Sequence, residues 1–186
     1  MLPICYLHFD TEFADFGNFS PLSIGVVSED KNFEFYKEVN DFDLNICSKF
    51  VKSIVIPLLD LPKYGMTYKD VSQSLISWIN QLPYKEVMFI ADYSGDITIL
   101  ERMLSLPGEV KLEKKVMTKL IDKALNQVTR ERGLYDHRNI HRAFKALTDG
   151  IDASLIKEPH RRHHALYDAH ANCDGWNSAM NALKNV

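Results

Sequence analysis

The chain has 186 residues, 46% apolar and 25% charged, values that suit one globular domain over residues 1–186 with enough apolar content for a core. It has no run of about 18 apolar residues, so no membrane span is expected. Met1-Leu2-Pro3-Ile4-Cys5-Tyr6-Leu7 lacks the basic start of a signal peptide, and three widely spaced cysteines form no disulfide framework, so a cytoplasmic protein is expected. The net charge of −3 argues against tight non-specific duplex binding, although residues 1–100 hold seven Lys and Arg against 14 acids and residues 101–186 hold 15 against 11.

Ile4-Cys5-Tyr6-Leu7-His8 reads as a buried strand ending in Phe9-Asp10-Thr11-Glu12. Asp10 and Glu12 stand at i and i+2, so both carboxylates point to one side. Two close carboxylates repel unless a cation lies between them, and hard oxygen ligands suit Mg²⁺ or Mn²⁺. Residues 13–21 carry Gly, Asn, Ser and Pro and read as a turn. Strands are predicted over 22–27 and 33–39 around a turn at 28–32, which makes an antiparallel meander beside the first strand. Gly25 within the second strand indicates a bulge or a close approach.

Residues 41–60 read as a helix that ends before Pro57. Val71, Leu75, Ile76, Trp78, Ile79 and Leu82 have helical spacing from about residue 68 until Pro83. Residues 85–91 read as a buried strand, Asp92 to Gly95 as a turn, and Asp96 as the opening of a helix, where an N-cap role would account for it. Lys111 to Val128 reads either as one basic helix or as a strand near 116–121 followed by a helix. Residues 139–147 read as a helix, 148–162 as a loop, and the rest from about His164 as the last helix. The order gives an α/β fold, an antiparallel meander joined to parallel strands by helical crossovers.

Asp168 lies in the last helix beside Ala165, Leu166 and Ala169, and an acid among core-facing residues calls for a partner. Asp10-Thr11-Glu12, then Asp96 followed by Ile99-Leu100, then His163-His164-Ala165-Leu166-Tyr167-Asp168-Ala169 resemble, in order and over residues 4–180, the DEDDh 3′→5′ exonucleases of the RNase H-like fold. Tyr6 to Phe13 together with Leu22 to Val27 resemble a small bacterial exoribonuclease subgroup more closely. The resemblance implies an RNase H-like mixed sheet flanked by helices. It implies a nuclease that trims single-stranded RNA or DNA from the 3′ end, RNA preferred, with a homodimer as its assembly.

It also implies the site. Asp10 would bridge two divalent ions about 4 Å apart. Glu12 and Asp168 would complete one ion, Asp96 would hold the other through water, and His163 would act as general base. The family spacing of five residues from His to Asp selects His163 over His164. Asp92 stays open as an alternative to Asp96. Thr11 and Phe13 are the expected substrate contacts, with Phe13 stacking on the terminal base. Arg161 and Arg162 are equally consistent with phosphate contacts and with plain solvation.

Overall fold

The computed structural model describes residues 4–184, so Met1, Leu2 and Pro3 of the leader reading lie outside the described residues, as do the last two residues. Six strands form one mixed sheet. They are β1 (Cys5–Asp15), β2 (Asn18–Ser28), β3 (Glu34–Val39), β4 (Gly65–Met66), β5 (Glu86–Ala91) and β6 (Lys115–Leu120), in the spatial order β4-β3-β2-β1-β5-β6. The β1–β2 and β2–β3 pairs are antiparallel, while β5 joins β1 and β6 joins β5 in parallel. This is the expected α/β layout, consistent with an RNase H-like sheet.

β1 alternates. Leu7 and Phe9 face one side and pack with helices α2 (Tyr68–Gln81) and α3 (Ser94–Ser105), through Val71, Leu75, Ile79, Ile99 and Leu100. Tyr6, His8, Asp10 and Glu12 take the other parity. On that side lie α4 (Ile121–Glu131), α5 (His137–Lys157) and α6 (Ala165–Lys184), packed over Met88 and Ile90 through Leu125, Leu147, Trp176 and Met180. The strand's period of two therefore buries one set of side chains in apolar packing and turns both acids toward the α6 layer. A short helix, α1 (Leu61–Tyr64), precedes β4. No helix among the described residues is long and apolar enough to cross a membrane.

Three local expectations are corrected, and one pair of alternatives is decided. The turn read over 13–21 is strand for most of its length. β1 continues to Asp15, β2 starts at Asn18, and the turn is confined to Phe16-Gly17. Pro21 is tolerated because the register slips there, with shifts after Glu12 and after Phe13 that leave Phe13 opposite Pro21.

Residues 41–60 are not one helix. They form a 3₁₀ turn at Leu44–Ile46, a π turn at Val51–Val55 and a 3₁₀ turn at Ile56–Leu58. Asp43 caps the first of these, and Cys47, Val51 and Val55 wrap onto Ala14 and Leu22 at the far end of the hairpin. Between 107 and 135 the strand-then-helix alternative holds, as β6 and α4.

The loop read over 148–162 is helical as far as Lys157. Gly150 does not break α5. A Cβ there would stand 2.9 Å from Gly175 Cα and 2.6 Å from Ser178 Oγ, so the glycine lets α5 and α6 approach closely.

Candidate active site

The site sits at the carboxyl ends of β1 and β5, where open α/β sheets present their side chains to a crevice. A cleft of about 590 Å³ opens there. Asp10, Glu12, Asp92, Asp96, His163 and Asp168 line it, with Thr11, Phe13, Phe16, Phe50 and Tyr93 around them. All five residues expected to carry the chemistry are thus in one cavity, contributed by β1, α3, the loop before α6, and α6 itself.

Their ligand atoms fall into two groups. Glu12, His163 and Asp168 offer atoms within 4.8 Å of one another, and so do Asp10, Asp92 and Asp96. Asp92 and Asp96 are therefore not alternatives in space, since both reach Asp10. Asp92 is exposed at the end of β5, and Asp96 is buried in the first turn of α3.

Asp96 is not the N-cap of α3. That position belongs to Tyr93, which makes no side-chain cap. The Asp96 carboxylate turns instead to β1, where Oδ1 accepts from the Thr11 N–H at 3.2 Å and from Thr11 Oγ1 at 2.5 Å. Thr11 lines the cleft, but its hydroxyl is committed to holding Asp96. Thr11→Val should release Asp96 and weaken any metal-dependent rise in melting temperature, with a roughly tenfold loss in metal affinity, as for other groups that orient a ligand. An unchanged metal titration by differential scanning fluorimetry would show that Thr11 does not position Asp96.

Asp168 is brought in by a close approach. Asp10, Gly25 and Tyr36 lie side by side across β1, β2 and β3, and Glu12, Ser23 and Glu38 form the next row. A Cβ on Gly25 would stand 2.2 Å from Leu166 N and 2.4 Å from the Ala165 carbonyl carbon. The bare Gly25 backbone therefore seats the first turn of α6 on the sheet, which sets Asp168 beside Glu12. Gly25→Ala should lift this turn, cost about 1–3 kcal/mol of stability and abolish any metal-dependent rise in melting temperature. Retention of both stability and metal response would break the link between Gly25 and the site.

His163 stands in the left-handed region, with φ of 70°, unusual for a residue with a side chain. Its N–H donates to Asp168 Oδ2 at 3.0 Å, and Phe50 meets its ring edge-on at 5.0 Å. His164 lies elsewhere. It stacks on Tyr36 at 4.5 Å and faces a separate, larger cavity of about 890 Å³ on the other side of the α6 N-terminus. That larger cavity contains none of the cleft acids, and Arg161 lines it rather than the cleft.

Asp10, Glu12, Asp96 and Asp168 hold their protons more firmly than ordinary carboxyls. Burial, then the neighbouring Asp96, Glu12 and Asp168, push Asp10 well above the usual carboxylate range. Burial, then Asp168 and Asp96, push Glu12 up to about 8. Burial raises Asp96 to about 7 against the pull of the Thr11 hydroxyl, and raises Asp168 to about 6 against the His163 N–H. Burial, then Arg162, lowers His163 below its usual value, so its imidazole is neutral at physiological pH. Asp168 Oδ1 is buried with no hydrogen-bond partner.

The aromatic surround was legible only at Phe13. That ring meets Phe16 at 5.5 Å and Phe19 at 5.4 Å, and lies nearly parallel to Tyr93 at 6.3 Å. Phe16 and Phe50 are exposed at the mouth of the cleft. Aromatic composition flags none of these rings as cleft residues, because only the hairpin and the turns after it bring them there.

No protein-family model and no curated protein matches the chain. The geometry of the cleft therefore carries the functional reading.

Proposed function

We propose that the chain is a metal-dependent 3′→5′ exonuclease that hydrolyses phosphodiester bonds at the end of a single-stranded nucleic acid, RNA preferred. One observation carries this reading: Asp10, Glu12, Asp96 and Asp168 converge with a neutral His163 in one open cleft. The 3′ polarity and the RNA preference come from the sequence resemblance alone.

The donor set fits divalent cations. It is built from carboxylate oxygens, their mutual repulsion is uncompensated by any lysine or arginine lining the cleft, and Asp168 Oδ1 is a buried acceptor without a donor. Asp10, Asp92 and Asp96 would hold one ion and Glu12 with Asp168 the other, with Mg²⁺ or Mn²⁺ as the candidates. When bound, such ions polarise a phosphoryl oxygen and acidify water.

The protein's own groups supply the rest. His163 is half-buried at the cleft wall with a neutral ring, whose free nitrogen is suited to take a proton from an attacking water. Asp168 holds the His163 backbone in place. The Phe13 ring and the exposed Phe16 and Phe50 offer stacking surfaces for a terminal base without regard to its identity. The three cysteines are free and buried, which suits the reducing cytoplasm we infer for it.

The test is digestion of 5′-labelled single-stranded RNA and of its DNA counterpart with Mg²⁺, Mn²⁺ or EDTA. A ladder that shortens from the 3′ end and vanishes in EDTA is expected, faster on RNA. No cleavage of either strand with any metal would leave a non-catalytic nucleic-acid-binding module as the better reading. His163→Ala should slow cleavage at least about a hundredfold while keeping the metal-dependent rise in melting temperature. A His163→Ala enzyme of full activity would remove His163 from the chemistry.

A further inference from the structure

The corner where α4 meets α5 carries an excess of positive charge on the surface. Residues 130–145 contain five Lys and Arg and two acids, whereas the remainder contains 17 and 23. Both acids are already engaged. The Asp136 carboxylate caps α5, accepting from the N–H groups of Arg138 and Asn139 and from Asn139 Nδ2, and Glu131 accepts from Gln127. Within the segment Lys145 pairs with Asp149. Among the described residues, Arg132, Arg138 and Arg142 have no carboxylate within 4.0 Å, although Asp136 feels the charges of Arg138 and Arg142, and all three are exposed.

A half-exposed ring lies among them. Tyr135 is 47% exposed, and the Arg130 guanidinium lies over it at 4.0 Å while donating to its hydroxyl at 2.8 Å. Exposed guanidiniums around a half-exposed aromatic ring combine phosphate attraction with sequence-tolerant base stacking. An anionic protein or a lipid surface would use the charges but has no need of the ring.

Position gives the patch its meaning. α4 starts where β6 ends, at the cleft end of the sheet, and runs back, so Arg130 lies at the opposite end. α5 then returns toward the cleft, where Tyr167 Oη donates to the Ser154 carbonyl at 2.7 Å and ties α5 to the first turn of α6. From Arg138 to Ser154 the helix rises about 24 Å. A stacked strand advancing about 3.4 Å per nucleotide covers that in about seven nucleotides.

We propose that Arg132, Arg138, Arg142 and the Arg130–Tyr135 pair form a second nucleic-acid contact that holds the body of a single strand while its end lies in the cleft. This role rests on the nuclease reading of the cleft. It makes the preferred substrate a strand longer than about seven nucleotides rather than a di- or trinucleotide.

The test compares wild type with Arg138→Ala/Arg142→Ala and with Arg138→Lys/Arg142→Lys, on a trinucleotide and on a strand of about 20 nucleotides. Binding is read by fluorescence anisotropy of the long RNA in EDTA, which keeps divalent metal out of the cleft. The alanine variant should weaken binding and lower the slope of log affinity against log salt by about 1.4, about 0.7 for each lost phosphate contact. The lysine variant should keep the slope. Cleavage of the long strand should show a raised KM in the alanine variant, with trinucleotide cleavage unchanged.

Unchanged anisotropy, or an equal loss on both substrate lengths, would overturn the proposal. So would arginine-dependent binding to vesicles of anionic phospholipid with none to RNA. Arginine-dependent RNA binding by a protein that cuts nothing would keep the patch and defeat the nuclease reading instead.

Discussion

Asp10→Asn should reduce cleavage by on the order of a thousandfold or more and, in the metal-free protein, raise the melting temperature. The two effects have one cause. Asp10 reaches both Asp92 and Asp96, and its carboxyl is raised by burial and by the charges of four neighbours, Asp96, Glu12, Asp168 and Asp92. Removing its charge relieves the folded state of repulsion that no cleft cation offsets. The same charge is what would bind a divalent ion, so the neutral amide forfeits the ion and about 4 kcal/mol of transition-state stabilisation with it. Paired thermal melts with EDTA and with Mg²⁺, run beside the cleavage assay, separate the terms. The variant should melt higher than wild type in EDTA and show almost no response to Mg²⁺. A lower melting temperature in EDTA would mean that Asp10 is a structural acid, and undiminished cleavage would remove it from the site.

Metal-free protein should lose stability as the pH rises from about 6.5 to about 8.5, and divalent metal should restore it. The sign follows from the direction of the shifts. Glu12, Asp96 and Asp168 are raised to about 8, about 7 and about 6, above the values they have in an unfolded chain. The folded state therefore keeps protons that the unfolded chain has already released. This contribution is present at low pH and is lost as pH rises through the folded values. His8 works the other way. It is fully buried against Trp176 with both ring nitrogens unpartnered, and burial lowers it to about 3. Its neutral form costs stability only as the pH falls below 6.5, and the buried Cys5, Cys47 and Cys173 thiols, which are also raised, add to the loss only at the top of the window, so the fall between about 6.5 and 8 reports the cleft.

A cation at about a hundred times its dissociation constant adds about 2.7 kcal/mol, or roughly 5–10 °C for a chain of this size. That gain should be largest near pH 8 and shrink below about pH 6, as the ligands take up protons. A metal response that is flat in pH would mean that these carboxyls are not its ligands. A metal-free protein equally stable at pH 6.5 and 8.5 would mean that the acids do not repel one another in solution.

Much of the site was legible from side-chain type and spacing. The i, i+2 placement of Asp10 and Glu12 fixed a shared side once the segment was a strand, because the pleat has a period of two. The apolar spacing of residues 71–82 defined α2, and the apolar run at 86–91 defined β5, because each can be buried in only one way. The Asp168 position was legible as an acid on an otherwise buried helix face. Where the sequence reading failed, composition had been read locally. Gly, Asn, Ser and Pro over 13–21 read as a turn, but a bulged register absorbs Pro21 into the hairpin. Residues 41–60 have enough apolar spacing for a helix, yet Asp43 and Pro57 divide them into short turns that follow the surface of β1 and β2.

By itself, then, the sequence determined an α/β chain with two strand-borne acids aimed together, a helix-borne acid, and a neighbouring pair of histidines. Only the tertiary structure decided between partners. It turned Asp96 from a helix cap into a carboxylate held by Thr11, added Asp92 beside Asp10, and separated His163 in the cleft from His164 in the next cavity. It also gave Gly25 its reason, as the surface on which α6 rests. These choices depend on how β1, α3 and α6 approach at the end of the sheet. The side chains concerned are many residues apart, and no local propensity encodes the distance between them.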